Sequence, residues 1–231
     1  MACILLIESS TQICSAAVSM DGKLLWNRES VNLSSHSAVL GVYVAEAVRF
    51  VQANHFLLDA VAVSEGPGSY TGLRIGVSLA KGLCFGWDIP LIALPTLKVM
   101  ATRLSPSPSY LCPMIDARRM EVYAALYDGT LQELEPAQAI IIDENSYRNL
   151  LSQKEIVFFG SGAEKCKTVI HSPNAIFIDG VYPLASDMIS EAENALISKK
   201  YVNTAYFEPF YLKEFQATTP KNKVISKTPM K

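Results

Sequence analysis

Residues 5–22, LLIESSTQICSAAVSMDG, and residues 113–129, PMIDARRMEVYAALYDG, follow the same pattern. Each stretch begins with an apolar run that ends in isoleucine and an acidic residue, Glu8 in the first and Asp116 in the second. A few polar residues and a second apolar strand follow, and each stretch closes on Asp-Gly, a dipeptide typical of tight hairpin turns. The two stretches therefore predict an antiparallel hairpin at the start of each half of the chain.

Two further pairs of segments correspond in the same order. Residues 61–68, VAVSEGPG, and residues 156–162, IVFFGSG, are apolar strands that end in Gly-x-Gly and open a helix. Residues 88–97, DIPLIALPTL, and residues 175–185, AIFIDGVYPLA, are strands followed by a proline at a helix start. Any one pair is open to a chance likeness between apolar strands, but the shared order favours a duplication.

The duplication predicts an α/β protein of two lobes, each built as βββαβαβα. We expect a first lobe over residues 1–104, a second lobe over residues 105–214, and a flexible basic tail over residues 215–231. Two lobes of this kind, facing each other across a cleft, form the layout of the actin, sugar-kinase and Hsp70 superfamily, which also has the ribonuclease H-like topology.

Bulk composition excludes several classes of protein. The chain has 231 residues and a formal net charge of −2, so its overall charge does not indicate a broad nucleic-acid surface. Its five cysteines show no CxxC spacing, which favours a reduced protein with packing cysteines over a disulfide or zinc scaffold. No signal peptide is expected, and the apolar stretch at residues 82–94 is too short to cross a membrane. We expect a cytoplasmic protein.

The predicted cleft brings together four residues from the strand ends: Glu8, Gly66, Asp116 and Gly160. A small-molecule kinase or ATPase that uses these residues is one hypothesis for the function. However, the superfamily holds phosphates with a glycine in its first hairpin, and the segment ESSTQ that begins at Glu8 has none. A conventional ATP-hydrolysis site is therefore not expected.

The glycine-rich stretch at residues 64–76, SEGPGSYTGLRIG, matches no phosphate motif fully. It lacks the Gly-Lys pair of a P-loop, and the third glycine of a dinucleotide fingerprint is replaced by Thr71. A variant fingerprint that ends at Gly72 stays open as an alternative. Ser69 does not lie in a GxSxG elbow, and no histidine spacing indicates a metal site, so we predict neither catalytic nor metal-binding residues.

The helices predicted over residues 36–54 and 72–86 are apolar around most of their circumference. Such helices must be covered on two sides, one being the sheet of the same lobe and the other an internal layer or a partner. We favour a partner, which glycines along the second helix would allow to approach closely. The predicted interface residues are Leu40, Tyr43, Val44, Ala47, Leu73, Gly76, Val77 and Ala80.

Four stretches of the chain resemble the TsaB (YeaZ) family. They are GPGSYTGLRIGVSLAKGL at residues 66–83, ILLIESST near the start, MIDARRMEVYAALYD at mid-chain and EPFYLKE at residues 208–214, and the resemblance covers about residues 2–214. It implies an actin-like fold without catalytic activity of its own, acting in the synthesis of N6-threonylcarbamoyladenosine at position 37 of tRNA. Glu8 departs from the aspartate usual in the family.

The resemblance also implies partners. They are the transferase subunit TsaD, which carries the metal-binding histidines that are absent here, and the ATPase TsaE. The helices at residues 36–54 and 72–85 match those that form a bundle with TsaD or in a self-dimer. We therefore expect a homodimer in isolation, contact with tRNA only through the complex, and no cofactor apart from a nucleotide at the complex interface.

Overall fold

The computed structural model describes residues 2–30 and 36–213, without the side chains of residues 36–38, and contains two five-stranded sheets. The predicted tail, residues 215–231, lies outside the described residues. The elements of the first half are β1 (Cys3–Glu8), β2 (Ser15–Met20), β3 (Lys23–Glu29), α1 (His36–Ala53), β4 (Ala60–Gly66), α2 (Tyr70–Trp87), β5 (Leu91–Pro95) and α3 (Thr96–Thr102). Those of the second half are β6 (Tyr110–Asp116), β7 (Glu121–Tyr127), β8 (Glu133–Ile141), α4 (Arg148–Leu151), β9 (Ile156–Phe159), α5 (Ala163–Cys166), β10 (Ala175–Ile178), a 3-10 helix (Ala185–Met188) and α6 (Ile189–Ile197).

The two sheets have the same strand order. Sheet 1 runs β3-β2-β1-β4-β5, and sheet 2 runs β8-β7-β6-β9-β10 when it is read from the corresponding edge. In both sheets the first three strands pair antiparallel, and the next two add in parallel after helical crossovers. The predicted duplication of a βββαβαβα unit is confirmed.

The central strand β1 is buried along its whole length, which explains its unbroken apolar sequence. Leu5 and Ile7 point to one face of sheet 1 and pack in the core formed with α1 and α2. Ile4 and Leu6 point to the other face, where they pack with residues of α3, the 3-10 helix and α6. Sheet 1 therefore carries helices on both faces.

The two lobes exchange helices across the predicted boundary at residues 104 and 105. Leu97 and Met100 of α3 follow the last strand of sheet 1 but belong to a core formed with strands of sheet 2. Conversely, Met188 and Ala192 follow the last strand of sheet 2 but pack on sheet 1. The boundary itself stays a prediction, and helix packing crosses it in both directions.

The two predicted Asp-Gly hairpins turned out differently. Asp21 and Gly22 both have left-handed φ angles, of 48° and 76°, and Met20 pairs with Lys23, so the two-residue turn is confirmed. Asp128 also lies in a hairpin, because β7 and β8 pair antiparallel with Tyr127 opposite Glu133, but its loop is longer and spans residues 128–132. There the Asp128 Oδ1 accepts backbone hydrogen bonds within a longer loop, at 2.9 Å from Thr130 N and 2.9 Å from Gln132 N.

After α6 the chain returns along the first lobe as a C-terminal strap, residues 201–213. The amide of Val202 donates a hydrogen bond to Leu91 O on the edge strand β5, across 3.0 Å. Lys81 of α2 then donates from Nζ to two strap carbonyls, those of Ala205 at 3.1 Å and Phe207 at 3.0 Å. The strap thus covers the free edge of sheet 1 and the flank of α2.

The end of the strap lies at the other end of α2. The Tyr211 ring packs on the Tyr70 ring, with centroids 4.8 Å apart, and Arg74 Nε donates to the Tyr211 hydroxyl across 3.2 Å. Lys213 forms an ion pair with Glu121 of the second lobe. Although the sequence assigns this segment to the second lobe, it packs mainly on the first and ends at the second.

None of the helices in the described ranges combines the length and the apolar character needed to span a bilayer.

Candidate functional site

The residues predicted as the partner interface mostly face inward. Leu40, Val44, Ala47, Leu73, Gly76, Val77 and Ala80 are buried, and Tyr43 is half-buried. Leu40, Val44, Ala47, Val77 and Ala80 belong to the core that α1 and α2 form with β1 and β4, and Tyr43 packs against it. For the buried residues the choice is therefore corrected, because a partner cannot contact side chains that the chain's own core covers, whereas Tyr43 stays a prediction. That the two helices meet a partner stays a prediction.

The outward side of α1 and α2 forms a stripe at helical spacing, which we call the outer helix face. Its exposed members are Val42, Ala45 and Arg49 of α1, and Thr71, Arg74, Ser78, Gly82 and Phe85 of α2. The Val42 side chain is 54% exposed and Phe85 is 87% exposed, which is high for residues of this size. A methyl group added at Gly41 or Gly82 would have no neighbour within 4 Å. The face is thus low in relief and carries two apolar anchors.

The glycine-rich loop between β4 and α2 holds the turn after β1. Ser69 N donates to Ser10 O across 2.6 Å, and Ser9 Oγ donates to Gly72 O across 2.9 Å. A side chain on Gly68 or Gly72 would collide with the backbone of this turn. The Ser69 hydroxyl caps α2 by accepting a hydrogen bond from Gly72 N at 3.2 Å. The loop is therefore packed against protein at the glycines that a phosphate motif would use.

The two predicted cleft glycines occupy equivalent places in the repeat. Gly66 has a φ of 116° and Gly160 a φ of 97°, conformations that side-chain-bearing residues rarely adopt. A side chain on Gly66 would meet Phe210 O of the C-terminal strap at 2.5 Å, and one on Gly160 would collide with Met114 O. Both glycines thus face neighbouring backbone of the same chain.

Glu8 lies inside the first lobe and has no exposed surface. Its Oε1 accepts hydrogen bonds from Ser10 N at 2.6 Å and from Ser10 Oγ at 2.5 Å. Burial raises the pKa of Glu8 above its ordinary value, and the hydrogen bonds from Ser10 offset part of that rise. A buried carboxyl of this kind does not present both oxygens to a metal-bound nucleotide.

Asp116, at the equivalent strand end of the second lobe, is exposed. It forms an ion pair with Lys165 and accepts a hydrogen bond from Arg118 N at 2.9 Å. Its own amide donates to Ser161 Oγ across 3.2 Å, next to Gly160. In the described parts of the chain, no hydrogen bond or ion pair joins Asp116 to Glu8. The four predicted cleft residues therefore form two groups, one in each lobe.

The cysteine thiols are also buried in the fold. Burial raises the pKa of the Cys3, Cys84 and Cys166 thiols to about 11, which keeps them protonated near neutral pH. Within residues 2–30 and 36–213, no three His, Cys, Asp or Glu side chains gather as a metal site would require.

The sequence analysis did not predict the C-terminal strap, for which the aromatic stretch EPFYLKE was the available signal.

Comparison with known proteins gives a consistent picture. Residues 31–220 match the family model described as TsaD: tRNA N6-adenosine threonylcarbamoyltransferase. Among curated proteins, the chain is 29% identical over 224 residues to the tRNA threonylcarbamoyladenosine biosynthesis protein TsaB of Escherichia coli, an alignment that covers 91% of this chain and 94% of that protein.

Two other relatives extend the comparison. The TsaB protein of Bacillus subtilis is 36% identical over 118 residues. This alignment covers 49% of this chain and 51% of the relative, so the chain spans about half of that relative's length. The solved structure of YeaZ from Pseudomonas aeruginosa superposes with a TM-score of 0.78 at 24% identity, covering 92% of this chain and 100% of that chain. This last likeness supports the duplicated two-lobed fold.

Proposed function

Because the chain belongs to the family of the threonylcarbamoyltransferase model and to its TsaB (YeaZ) members, we propose that it is a noncatalytic subunit of the machinery that makes N6-threonylcarbamoyladenosine at position 37 of tRNA. It docks on the transferase subunit TsaD through the outer helix face. The observation that carries this proposal is the pair of exposed apolar side chains, Val42 and Phe85, on two adjacent helices, which the described residues of their own lobe leave uncovered.

The chemistry of the outer helix face suits docking. Gly41, Ala45, Ser78 and Gly82 keep its relief low, so that helices of a partner can approach closely. Phe85 at the end of α2 supplies a large ring of the kind that dominates binding energy at interfaces. The same face serves a self-dimer when TsaD is absent.

The two strand-end groups support the noncatalytic part of the proposal. Glu8 is buried and Asp116 is paired with Lys165 in the other lobe, so neither is poised for phosphoryl transfer. The rival kinase or ATPase hypothesis has no observation in its favour. In the proposed complex, TsaE is the ATPase and TsaD contacts the tRNA. A nucleotide binds at the interface of the complex, and the assembly acts in the cytoplasm.

The test is binding of the purified chain to TsaD from the same organism, followed by size-exclusion chromatography with light scattering. Val42→Glu combined with Ser78→Glu places two charges on the outer helix face, and we expect the affinity for TsaD to fall at least tenfold. Ile197→Glu is the matched control, since Ile197 is 80% exposed but lies on α6, on the opposite side of sheet 1. Native binding by the double variant would overturn the docking assignment.

A further inference from the structure

Glu8 is the one acidic residue classed as buried in the described part of the chain. It ends β1 on the face of sheet 1 that packs against α3, the 3-10 helix and α6. A buried carboxylate is stable only with a cationic partner or enough hydrogen bonds. No cation within the described residues forms an ion pair with Glu8, so its charge is not compensated.

The second carboxyl oxygen of Glu8 shows the same problem. Oε2 is buried and makes no hydrogen bond of normal geometry among the described residues, and the same holds for Ser64 Oγ, although the Ser64 hydroxyl lies close enough to lower the pKa of Glu8. The register of β1 and β4 pairs Ile7 with Val63, which places Glu8 next to Ser64 on the adjacent strand. A proton on Glu8 would give the carboxyl a donor for a neighbouring hydroxyl that otherwise makes no hydrogen bond of normal geometry among the described residues.

The charged groups that face this region are mainly acidic. From the 3-10 helix, Asp187 contributes a negative charge that raises the pKa of Glu8. Arg103, just after α3, lies 3.8 Å from Asp187 and is directed to it. Glu29, the last residue of β3, raises the pKa of Asp187 in turn.

Within residues 2–30 and 36–213, the remaining elements around Glu8 add no free cation. Lys98 of α3 is paired with Glu191 of α6 across 2.7 Å. Cys14, before β2, has a pKa that burial raises, with a smaller contribution from Glu8, so it stays a neutral thiol. Burial and the neighbouring acid Asp187 therefore favour the uncharged form of Glu8, and the hydrogen bonds from Ser10 and the nearby hydroxyl of Ser64 offset only part of this effect.

We propose that Glu8 is a buried carboxylic acid that keeps its proton at neutral pH, joins the β1–β2 turn to β4, and makes the packing of sheet 1 on the crossing helices sensitive to alkaline pH. Its counterpart Asp116 is exposed and forms an ion pair with Lys165. The repeat thus buries one strand-end acid inside a lobe and places the other in a surface ion pair.

The sign of the effect follows from linkage. An unfolded glutamate has a pKa of about 4.3, and the folded protein holds the proton to higher pH. The stability that Glu8 contributes is complete below that value and is lost as the pH rises towards its pKa in the fold. Over this interval each pH unit lowers the ratio of folded to unfolded protein by up to about tenfold.

The experiment is urea unfolding of the full chain between pH 5 and pH 9 for the native protein, Glu8→Gln and the control Asp116→Asn. We expect Glu8→Gln to flatten the decline with pH and to be at least as stable as the native chain at pH 8, while Asp116→Asn keeps the native decline. An unchanged decline in Glu8→Gln, or a variant less stable than the native chain by the same factor at every pH, would overturn the proposal.

A second measurement covers the case in which Glu8→Gln does not fold. In the native chain labelled with 13C at the glutamate side-chain carboxyl, one resonance should remain in the protonated position from pH 5 to pH 7 while the others titrate. If every glutamate carboxyl titrates in its ordinary range, Glu8 is ionised at neutral pH and the inference is wrong.

Discussion

The Ser9 hydroxyl donates a hydrogen bond to the carbonyl oxygen of Gly72 across 2.9 Å, linking the turn after β1 to the first turn of α2. The contact is possible because glycines at this side of α2 let the helix lie directly on the turn. Leu73 is buried and Val77 packs in the core as a result, and a narrow stripe of α2 remains outside. The close approach of helix to turn thus determines which surface a partner can meet.

Gly76 and Gly82 lie in the same helix and provide a matched pair for testing this close approach. A methyl group at Gly76 would collide with Ser9 Oγ, whereas one at Gly82 would meet nothing within 4 Å. We expect Gly76→Ala to lower the free energy of unfolding by about 1–3 kcal/mol because of overpacking. Gly82→Ala should raise it by about 0.5–1 kcal/mol through helix propensity. Urea denaturation measures both, and equal effects would contradict the close contact with Ser9.

Lys81 is expected to hold the C-terminal strap on α2. Lys81→Met keeps much of the aliphatic chain but removes the two hydrogen bonds to Ala205 O and Phe207 O, which are partly exposed. We expect a loss of about 1–3 kcal/mol in the free energy of unfolding, together with faster proteolytic cleavage between residues 201 and 213. Arg49→Met, at an exposed position of α1, is the control. Cleavage at the native rate in Lys81→Met would show that the strap is held by other contacts.

Much of the fold was predictable because it rests on local patterns. The apolar strand β1 with its terminal acid, the repeat of that pattern before Asp116, and the turn at Asp21 and Gly22 all appear in the structure as the sequence indicates. The second hairpin, at Asp128, has a longer loop, and the glycine that follows packs against a remote segment, with Ser107 N donating a hydrogen bond to Gly129 O across 3.1 Å. Such contacts are invisible to a local pattern.

The candidate site was harder to predict for the same reason. Apolar residues cover most of α2, so the sequence could not decide whether Leu73 or Phe85 faces the sheet. The decision comes from Ser9 and from the strap, which approach the helix from remote parts of the chain. Glu8 likewise looks like a cleft acid in the sequence, but in the structure it is buried and has Asp187 of the remote 3-10 helix as a charged neighbour.

Leu73→Glu and Val42→Glu should separate core from surface on the helix pair. Leu73 has no exposed surface, so Leu73→Glu buries a carboxyl without a partner, and we expect a loss of roughly 3–5 kcal/mol or more in stability. Val42 is more than half exposed, and Val42→Glu should change stability by only about 0.5 kcal/mol. Thermal unfolding followed by circular dichroism checks both. If Leu73→Glu folds with native stability, Leu73 does not belong to the core.

Asp187 should make stability depend on pH in the acidic range. Burial raises its pKa to about 6, although the Arg103 guanidinium and a hydrogen bond from Leu184 N offset part of the rise. Because the pKa in the fold lies above the unfolded value of about 3.9, the stability from Asp187 is complete below pH 4 and is lost as the pH rises to about 6. Asp187→Asn cannot titrate, and should flatten the pH dependence of unfolding between pH 4 and pH 6.

Asp128 is a control for Asp187, because its contribution to stability depends on pH in the opposite direction. Hydrogen bonds from Thr130 and Gln132 lower the pKa of Asp128, so its contribution to stability is lost as the pH falls. Asp128→Asn should therefore leave the decline between pH 4 and pH 6 in place and weaken the loss of stability at lower pH. The contribution of Glu8 to stability is also lost as the pH rises. The free energy of unfolding of the double variant Glu8→Gln with Asp187→Asn should therefore depend less on pH than that of either single variant. A native slope between pH 4 and pH 6 in Asp187→Asn would mean that Arg103 keeps Asp187 ionised throughout, and that this acid does not contribute to the pH dependence of stability.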